Sequence, residues 1–230
     1  MNRYDYIKYV ASTYPKLLSL PDCNYLYPIH AFATNITEDK IDALRTCISA
    51  GININQQCMR GQLTLLHMLI FSLYREVMSY DENTYTIIKL LLDSGADINL
   101  TNEFLATPFG TLIRCYIEDN DINYALHKYQ NLFELFMNYN VNPHIKNMWN
   151  KSIIDRIEDW LTQSCPTYIY HTYYYEDQQK YKILADYVFS ALNKKIGKQM
   201  LAIMTTGYFL VIPRDIKEYI AQFNYDYPEI

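Results

Sequence analysis

The chain has 230 residues, enough for one large domain or two small ones, and half of these residues are hydrophobic. With 20% charged residues, the composition excludes an intrinsically disordered chain, which would combine low hydrophobicity with high net charge. The formal net charge of -5 argues against nucleic acid and acidic membranes as partners, because both attract clusters of cations.

The cysteines and the apolar runs bear on the location of the protein. The five cysteines are widely scattered and lack the spacing of metal ligands, which favours free thiols in a reducing compartment. The first residues lack the apolar core of a signal peptide, and no apolar run approaches the roughly 20 residues that span a bilayer. We therefore expect a soluble protein of the cytoplasm, with the nucleus as a second possibility.

Two short motifs alternate along the chain after a first helix, which is expected near residues 5–18. One motif starts a helix, since it offers a Thr or Ser cap or a Pro for the first turn. The other ends a helix with a Gly or Asn, followed by an Asn or Asp that shapes a turn. Such alternation, in order, indicates repeated pairs of helices. The helix starts are residues 27–31, 64–68, 107–111 and 152–156, and the helix ends are residues 51–55, 95–99 and 140–144.

These motifs resemble the ankyrin repeat over about residues 24–160, and residues 95–99 match its Gly-Ala-Asp-Ile-Asn turn without exception. The resemblance implies an all-α, ankyrin-repeat solenoid of three to four divergent repeats. It also implies helical caps at both ends, residues 1–23 and 161–230, and a role for His30 and His67 in holding neighbouring loops by hydrogen bonds. The helix ends recur every 44 to 45 residues instead of about 33. We therefore expect long polar insertions between the helices of a repeat, around residues 74–83 and 116–125, as in the ankyrin proteins of poxviruses.

The C-terminal segment 211–223 is similar to the start of an F-box. Pro213 suits the first turn of a helix, and Asp215 favours its positive N-terminal end. The apolar face of this helix either packs on the last helices of the protein itself or inserts into the groove of a partner. Because poxviral ankyrin proteins often end in a shortened F-box-like segment, the resemblance implies contact with the Skp adaptor of a cullin ubiquitin ligase. The residues of the segment that carry this hypothesis are Ile212, Pro213, Asp215, Ile216, Tyr219 and Ile220.

No group of residues indicates catalysis or metal binding. His127, His144 and His171 lack the spacing of zinc ligands, and the glycines are isolated instead of gathered in a phosphate-binding loop. The tyrosines of residues 168–175 either form an interface or pack as a loop against the last helices. We therefore expect a protein without a catalytic site, a metal or a cofactor.

The expected function is binding of another protein by the repeats. The first hypothesis is a viral adaptor that brings a host protein to the ubiquitin ligase. The alternative is a stoichiometric binder or inhibitor of a host signalling or transcription factor, with the C-terminus as a structural cap. Neither hypothesis involves nucleic acid or a membrane. The residues expected to be exposed for contact with the host protein are Gln56, Gln57, Met59, Arg60, Asn102, Glu103, Phe104, Met148 and Trp149.

Overall fold

Helices make up the regular structure of the part of the chain that the computed structural model describes, residues 3–74, 82–118 and 122–155. The expectation of an all-α protein is confirmed for these ranges. Several residues of the sequence analysis lie outside the described part: the F-box-like residues, the tyrosines of residues 168–175, His171 and the side chain of His127. The α-helices are α1 (Arg3–Thr13), α2 (Glu38–Ser49), α3 (Leu65–Tyr74), α4 (Glu82–Asp93), α5 (Pro108–Glu118) and α6 (Ile122–Met137). Two 3-10 helices, Pro15–Ser19 and Pro28–Ala33, lie between α1 and α2.

The helix boundaries follow local chemistry. Thr37 precedes α2 and its hydroxyl accepts a hydrogen bond from the Lys40 amide, which satisfies one of the free donors of the first turn. Pro108 opens α5, where its missing N–H has no partner to lose. After α4, Gly95 has a φ of 93°, the left-handed conformation that stops a helix. The helix ends predicted at residues 51–55 and 95–99 therefore lie where α2 and α4 stop.

The helices form successive pairs. We call the Pro28–Ala33 helix with α2 pair 1, α3 with α4 pair 2, and α5 with α6 pair 3. The first members pack side by side, with α3 in contact with both the Pro28–Ala33 helix and α5. Among the second members, α2 packs against α4. Helix α1 packs against α2.

Each pair buries an apolar stripe at helical spacing. In α3, Leu65, Leu69 and Leu73 are four residues apart and fully buried. Pair 3 replaces such aliphatic contacts by aromatic ones. Tyr116 of α5 meets Phe133 of α6 edge to face, with 5.4 Å between the ring centroids, and Phe109 stacks on Phe136 at 6.0 Å. Such ring pairs stabilise by about 0.5–1.5 kcal/mol each beyond their buried area.

The extra length of pair 3 lies in its helices. Polar connections were expected around residues 116–125, but α5 continues to Glu118 and α6 begins at Ile122, so this expectation is wrong for most of that stretch. Helix α6 has 16 residues, compared with 12 in α4. The longer helices bring Tyr116 against Tyr129, and this burial favours helix over loop. The other expected insertion lies mostly between α3 and α4, outside the described residues.

Candidate interaction surface

Four loops of closely related conformation precede the successive helix starts. We call them fingers 1 to 4, and each is closed by a backbone hydrogen bond from its first N–H to its last carbonyl. Their residues are 22–26, 58–63, 102–106 and 147–151. The closing N···O distances are 2.8 Å in finger 1 and 3.0 Å in each of the other three.

A side-chain oxygen shapes three of the fingers from within. In finger 3, Oδ1 of Asn102 accepts hydrogen bonds from the amides of Phe104 and Ala106, at 2.9 and 3.1 Å. Asp22 in finger 1 and Asn147 in finger 4 accept the same two bonds, two and four residues further on. A short polar side chain can in this way replace the backbone partners that a tight turn lacks.

Finger 2 is one residue longer and is shaped differently. Cys58 occupies its first position, and the thiol donates to the carbonyl of Arg60 at 2.6 Å. The chain then turns through Gly61 and Gln62, which have φ angles of 79° and 48°. The glycine accommodates this left-handed geometry without the steric cost that a Cβ would bring. Finger 2 therefore reaches a similar closure by another route.

In the other fingers, residues with side chains occupy the left-handed position. Tyr25, Leu105 and Asn150 have φ angles of 60°, 55° and 57°. Asn adopts this conformation comparatively easily, whereas a bulky residue loses about 1–2 kcal/mol there. The side chains of Tyr25 and Leu105 are each 49% exposed. Fingers 1 and 3 therefore display an apolar side chain at a position where it strains the backbone.

Hydrogen bonds join the fingers into one row. The amide of Met59 donates to the carbonyl of Tyr25 at 3.4 Å, which connects fingers 1 and 2. Glu103 donates to Gly61 and Met148 donates to Phe104, both at 3.0 Å, which connects the remaining fingers. Because every finger is tied to the next one, the row presents its side chains in a fixed order.

Asparagine side chains connect the turns that lead into the fingers. The Asn55 amide group donates to the carbonyl of Gly95 at 3.2 Å, and its oxygen accepts from the amide of Asp97 at 2.7 Å. Asn99 repeats this arrangement 44 residues later, with the Asn140 carbonyl and the Asn142 amide, both at 2.8 Å. Each side chain thus uses its donor and its acceptor to fix the spacing between neighbouring turns.

Two histidines make a second set of connections. Nδ1 of His67 accepts from the amide of Thr64 at 3.3 Å, while Nε2 lies 3.0 Å from the carbonyl of Ala106 in finger 3. His30 binds in the same way to the Tyr27 amide and the Gln56 carbonyl. Since a carbonyl only accepts, Nε2 carries a proton, and since Nδ1 accepts from an amide it carries none, so the ring is neutral. The hydrogen bonds confirm that both histidines hold neighbouring loops.

Burial explains why these rings stay neutral. It lowers the pKa of His67 from 6.5 to about 4, although the hydrogen bond to Ala106 acts in the opposite direction. Burial also lowers the pKa of His30, against hydrogen bonds with the carbonyls of Gln56 and Leu63. A protonated ring would lose the acceptor nitrogen that binds the amide of the helix start. Both rings are therefore structural hydrogen-bonding groups.

Pair 3 lacks the histidine. Gly110 occupies the position that His30 and His67 hold in pairs 1 and 2, three residues after the helix-capping residue. A cavity of about 30 Å³ lies beside it, bordered by Thr107, Asn147, Lys151 and Ser152. Where the next helix starts, Asp155 takes the position, accepts from the amide of Ser152 at 2.8 Å, and donates its own amide to the Ser152 hydroxyl at 3.1 Å.

The fingers carry most of the large apolar side chains that are exposed in the described part of the chain. Of twelve such side chains, seven lie on fingers and five on residues 6–20. Trp149 is 65% exposed and Met59 is 60% exposed. An apolar group of this size on one surface is typical of a site for another macromolecule. The seven residues are Tyr25, Leu26, Met59, Phe104, Leu105, Met148 and Trp149.

The predicted contact residues divide into displayed and supporting ones. Gln57 donates to the carbonyls of Gln62 and Thr101, both at 2.8 Å, and Gln56 donates to the carbonyl of Gln57 at 3.1 Å. Asn102 was expected to be exposed, which is wrong, because it is 2% exposed and shapes finger 3. The predicted residues that are exposed on the fingers are Met59, Arg60, Glu103, Phe104, Met148 and Trp149.

The sequence interpretation missed Tyr25, Leu26 and Leu105. A signal for them exists, because each lies at nearly the same distance before a helix start as the exposed residues that were predicted. Tyr25 and Leu105 precede Tyr27 and Thr107 by two residues. The predicted Trp149 precedes Ser152 by three. Aligning the helix starts would have placed all three on one surface.

Each finger carries one charged residue, and the signs alternate along the row. Asp22 in finger 1 and Glu103 in finger 3 are negative, whereas Arg60 in finger 2 and Lys151 in finger 4 are positive. All four are exposed. Within the described residues, Arg60 and Glu103 do not form an ion pair with each other, unlike Arg45 with Asp42 and Lys89 with Asp93.

The described residues show no further site of recognisable chemistry. They contain no cluster of His, Cys, Asp and Glu that could hold a metal ion. None of the helices described is both long enough and apolar enough for a membrane span. An open, polar depression of about 360 Å³ lies between α2 and α4, where Asp42 binds Arg45 at 2.8 Å.

The described structure defines the class as an all-α protein of successive helix pairs with a row of linked fingers. No protein-family model matches the chain, and no curated protein matches it either.

Proposed function

We propose that this chain is an ankyrin-repeat protein that binds another protein through its row of fingers and catalyses no reaction. The observation that carries the proposal is the concentration of exposed apolar side chains on four loops that hydrogen bonds hold together. Trp, Tyr, Phe and Met are enriched in protein interfaces, and Trp and Tyr are frequent among the residues that dominate binding energy.

The connections between the pairs support the ankyrin part of the proposal. The resemblance implies that a histidine of each helix start binds the neighbouring loop, and His30 and His67 make such bonds. Asn55 and Asn99 each bind a carbonyl and an amide at equivalent positions of the next turn. Regular connections of this kind are what a stack of equivalent repeats requires.

The rigidity of the row supports the binding part. A surface that already has its bound conformation loses less conformational entropy on association, so more of the contact energy appears as affinity. The asparagine bonds inside fingers 3 and 4 and the bonds between fingers provide this order. Aromatic side chains add large contact area at a small entropic cost, because they have few rotatable bonds.

Both functional hypotheses are compatible with a host protein bound to the finger row. In the adaptor hypothesis, the segment around Pro213 and Ile216 binds the Skp adaptor of a cullin ubiquitin ligase. In the alternative, the same segment caps the repeats and the protein acts by occupying its target. The F-box-like residues lie outside the described ranges, so the adaptor hypothesis rests on the sequence resemblance.

Affinity capture from host-cell lysate, with the captured proteins identified by mass spectrometry, tests the proposal. Trp149→Ser should remove the principal partner, because it deletes the most exposed apolar side chain of the row. Tyr6→Ser is the matched control, since Tyr6 is 57% exposed but lies on α1. Equal recovery of every partner by the Trp149→Ser variant and the unmodified chain would overturn the proposal.

A second variant separates the two hypotheses. Pro213→Ala combined with Ile216→Ala should remove the Skp adaptor and the cullin while leaving the partner of the fingers bound. If the double variant captures the same proteins as the unmodified chain, and neither captures the ligase components, the adaptor hypothesis is wrong. The alternative, a protein that only binds its target, then remains.

A further inference from the structure

The order of charges along the fingers is self-complementary. From finger 1 to finger 4 the charged residues are Asp22, Arg60, Glu103 and Lys151, so the signs read minus, plus, minus, plus. When a second identical row is laid against the first in the opposite direction, finger 1 faces finger 4 and finger 2 faces finger 3. Every charge then meets its opposite. Two rows in the same direction would bring like charges together throughout.

The apolar side chains provide an area of the size that a dimer needs. Aromatic residues bury about 150–250 Å² each, and if the Leu and Met residues come close to this size, seven side chains that are roughly half exposed present on the order of 700 Å². A standard protein interface buries about 800 Å² on each partner. The finger row, with its polar backbone included, can therefore supply one whole side of a stable interface.

The geometry of a two-fold axis also suits the row. In a dimer with two-fold symmetry the same surface is used by both subunits, and each contact between different residues occurs twice. Here the axis would lie between fingers 2 and 3, and Arg60 of each subunit would face Glu103 of the other. Arg60 and Glu103 are exposed and are not paired with each other within one chain, so both remain open for such a contact.

We propose that the partner of the finger row is a second copy of this chain, bound antiparallel about a two-fold axis. The apolar residues of the two rows form the centre of the interface, and the charges fix its direction. This inference rests on the proposed function, since it uses the finger row as the binding surface, but it places a second copy of the chain there instead of a host protein. A different protein with matching charges is the other occupant that the experiment can reveal.

Sedimentation equilibrium of the full chain, over a range of concentrations, tests the inference. The subunit mass is 27.3 kDa, and the unmodified chain should sediment with twice that mass. Arg60→Glu should raise the dissociation constant at least tenfold, because it creates two like-charged contacts in each dimer. Glu103→Arg should do the same. Lys16→Glu, an exposed charge reversal outside the fingers, should leave the dimer intact.

The decisive sample is an equimolar mixture of the Arg60→Glu and Glu103→Arg chains. In the mixed dimer, opposite charges again face each other at both central contacts, so the mixture should regain the dimer mass. Repair within a single chain cannot explain this result. Failure of the mixture to associate, or a monomeric unmodified chain at all concentrations, would overturn the inference.

Trp149→Ser provides a measurement that does not depend on charge. It should also produce monomers, with an unchanged helical circular dichroism spectrum. A dimer that withstands Trp149→Ser and both charge reversals would show that the contact lies elsewhere and would overturn the inference. A monomeric chain that loses a captured protein on Trp149→Ser would overturn the second copy as the partner but leave the proposed function standing.

Discussion

Pairs 2 and 3 begin with nearly the same backbone but connect differently to the finger that follows. His67 fills the space between its helix start and finger 3 and binds the Ala106 carbonyl at 3.0 Å. At the equivalent position of pair 3, Gly110 leaves a cavity of about 30 Å³ beside finger 4. Pair 2 is connected to finger 3 by a buried hydrogen bond from a side chain. Pair 3 has Ile153 beside Gly110 instead, and the Asp155 carboxylate accepts a hydrogen bond from the Ser152 amide that follows finger 4. The comparison predicts that the side chain at this one position contributes strongly to the coupling between adjacent helix pairs.

Removing the histidine of pair 2 should give the largest effect. His67→Ala leaves the Thr64 amide without its ring acceptor and the Ala106 carbonyl without its ring donor, and it opens a cavity in a site that is fully buried. We expect a loss of about 2–5 kcal/mol in the free energy of unfolding. Chemical denaturation followed by circular dichroism measures it. A loss below that of an exposed control such as His144→Ala would show that the imidazole does not couple the repeats.

Protonation should weaken the same connection in a defined pH window. Burial lowers the pKa of His67 to about 4, whereas the unfolded chain keeps a value near 6.5. The unfolded state therefore binds a proton more readily. The contribution of the neutral ring is complete above pH 6.5 and is lost as the pH falls towards about 4. The loss should approach about 3 kcal/mol, at about 1.4 kcal/mol per pKa unit. Unfolding free energies measured at pH 7.5, 6 and 5 should fall more steeply for the unmodified chain than for the His67→Ala chain. Parallel curves would contradict this assignment.

Introducing a histidine into pair 3 should raise the free energy of unfolding, by less than the loss expected for His67→Ala. A Cβ on Gly110 would lie 3.3 Å from Oγ1 of Thr107 and 3.9 Å from Ile153, so a side chain fits with a small shift of the threonine. Gly110→His should stabilise by about 1–2 kcal/mol, from a higher helix propensity and a new hydrogen bond to finger 4.

The control for the Gly110 substitution is Gly110→Ala, which changes helix propensity without providing a ring. It should give about half of that gain or less, because alanine avoids the entropic cost of a helical glycine by roughly 0.5–1 kcal/mol. Thermal unfolding of both variants measures the difference. If the histidine variant is no more stable than the alanine variant, the cavity does not correspond to a missing imidazole.

The starts and ends of the helices could be predicted from the sequence because they depend on local chemistry. Pro108 starts α5, and Gly95 follows the end of α4, as their conformational preferences require. The extension of α5 to Glu118 and the start of α6 at Ile122 could not be predicted in the same way. It depends on the meeting of Tyr116 and Tyr129, which are distant in sequence, and polar residues around 118–121 suggested a loop instead.

The candidate surface was only partly predictable for a related reason. A turn that needs positive φ is normally recognised by its glycine, but Tyr25 and Leu105 occupy that position here. The oxygens of Asp22 and Asn102 hold these turns, and their partners are amides that no residue preference reveals. The sequence therefore predicts Asn102 as a contact residue, whereas its role is to position Phe104.

The strained conformation of Leu105 has a consequence for how sequences of this kind can change. A glycine there would relax the backbone, so a chain under pressure only for a robust fold should drift towards it. Leucine keeps an apolar side chain on the surface that glycine would remove. Among related chains, a bulky residue at this turn would therefore mark those that retain the association, and glycine would mark those that have lost it.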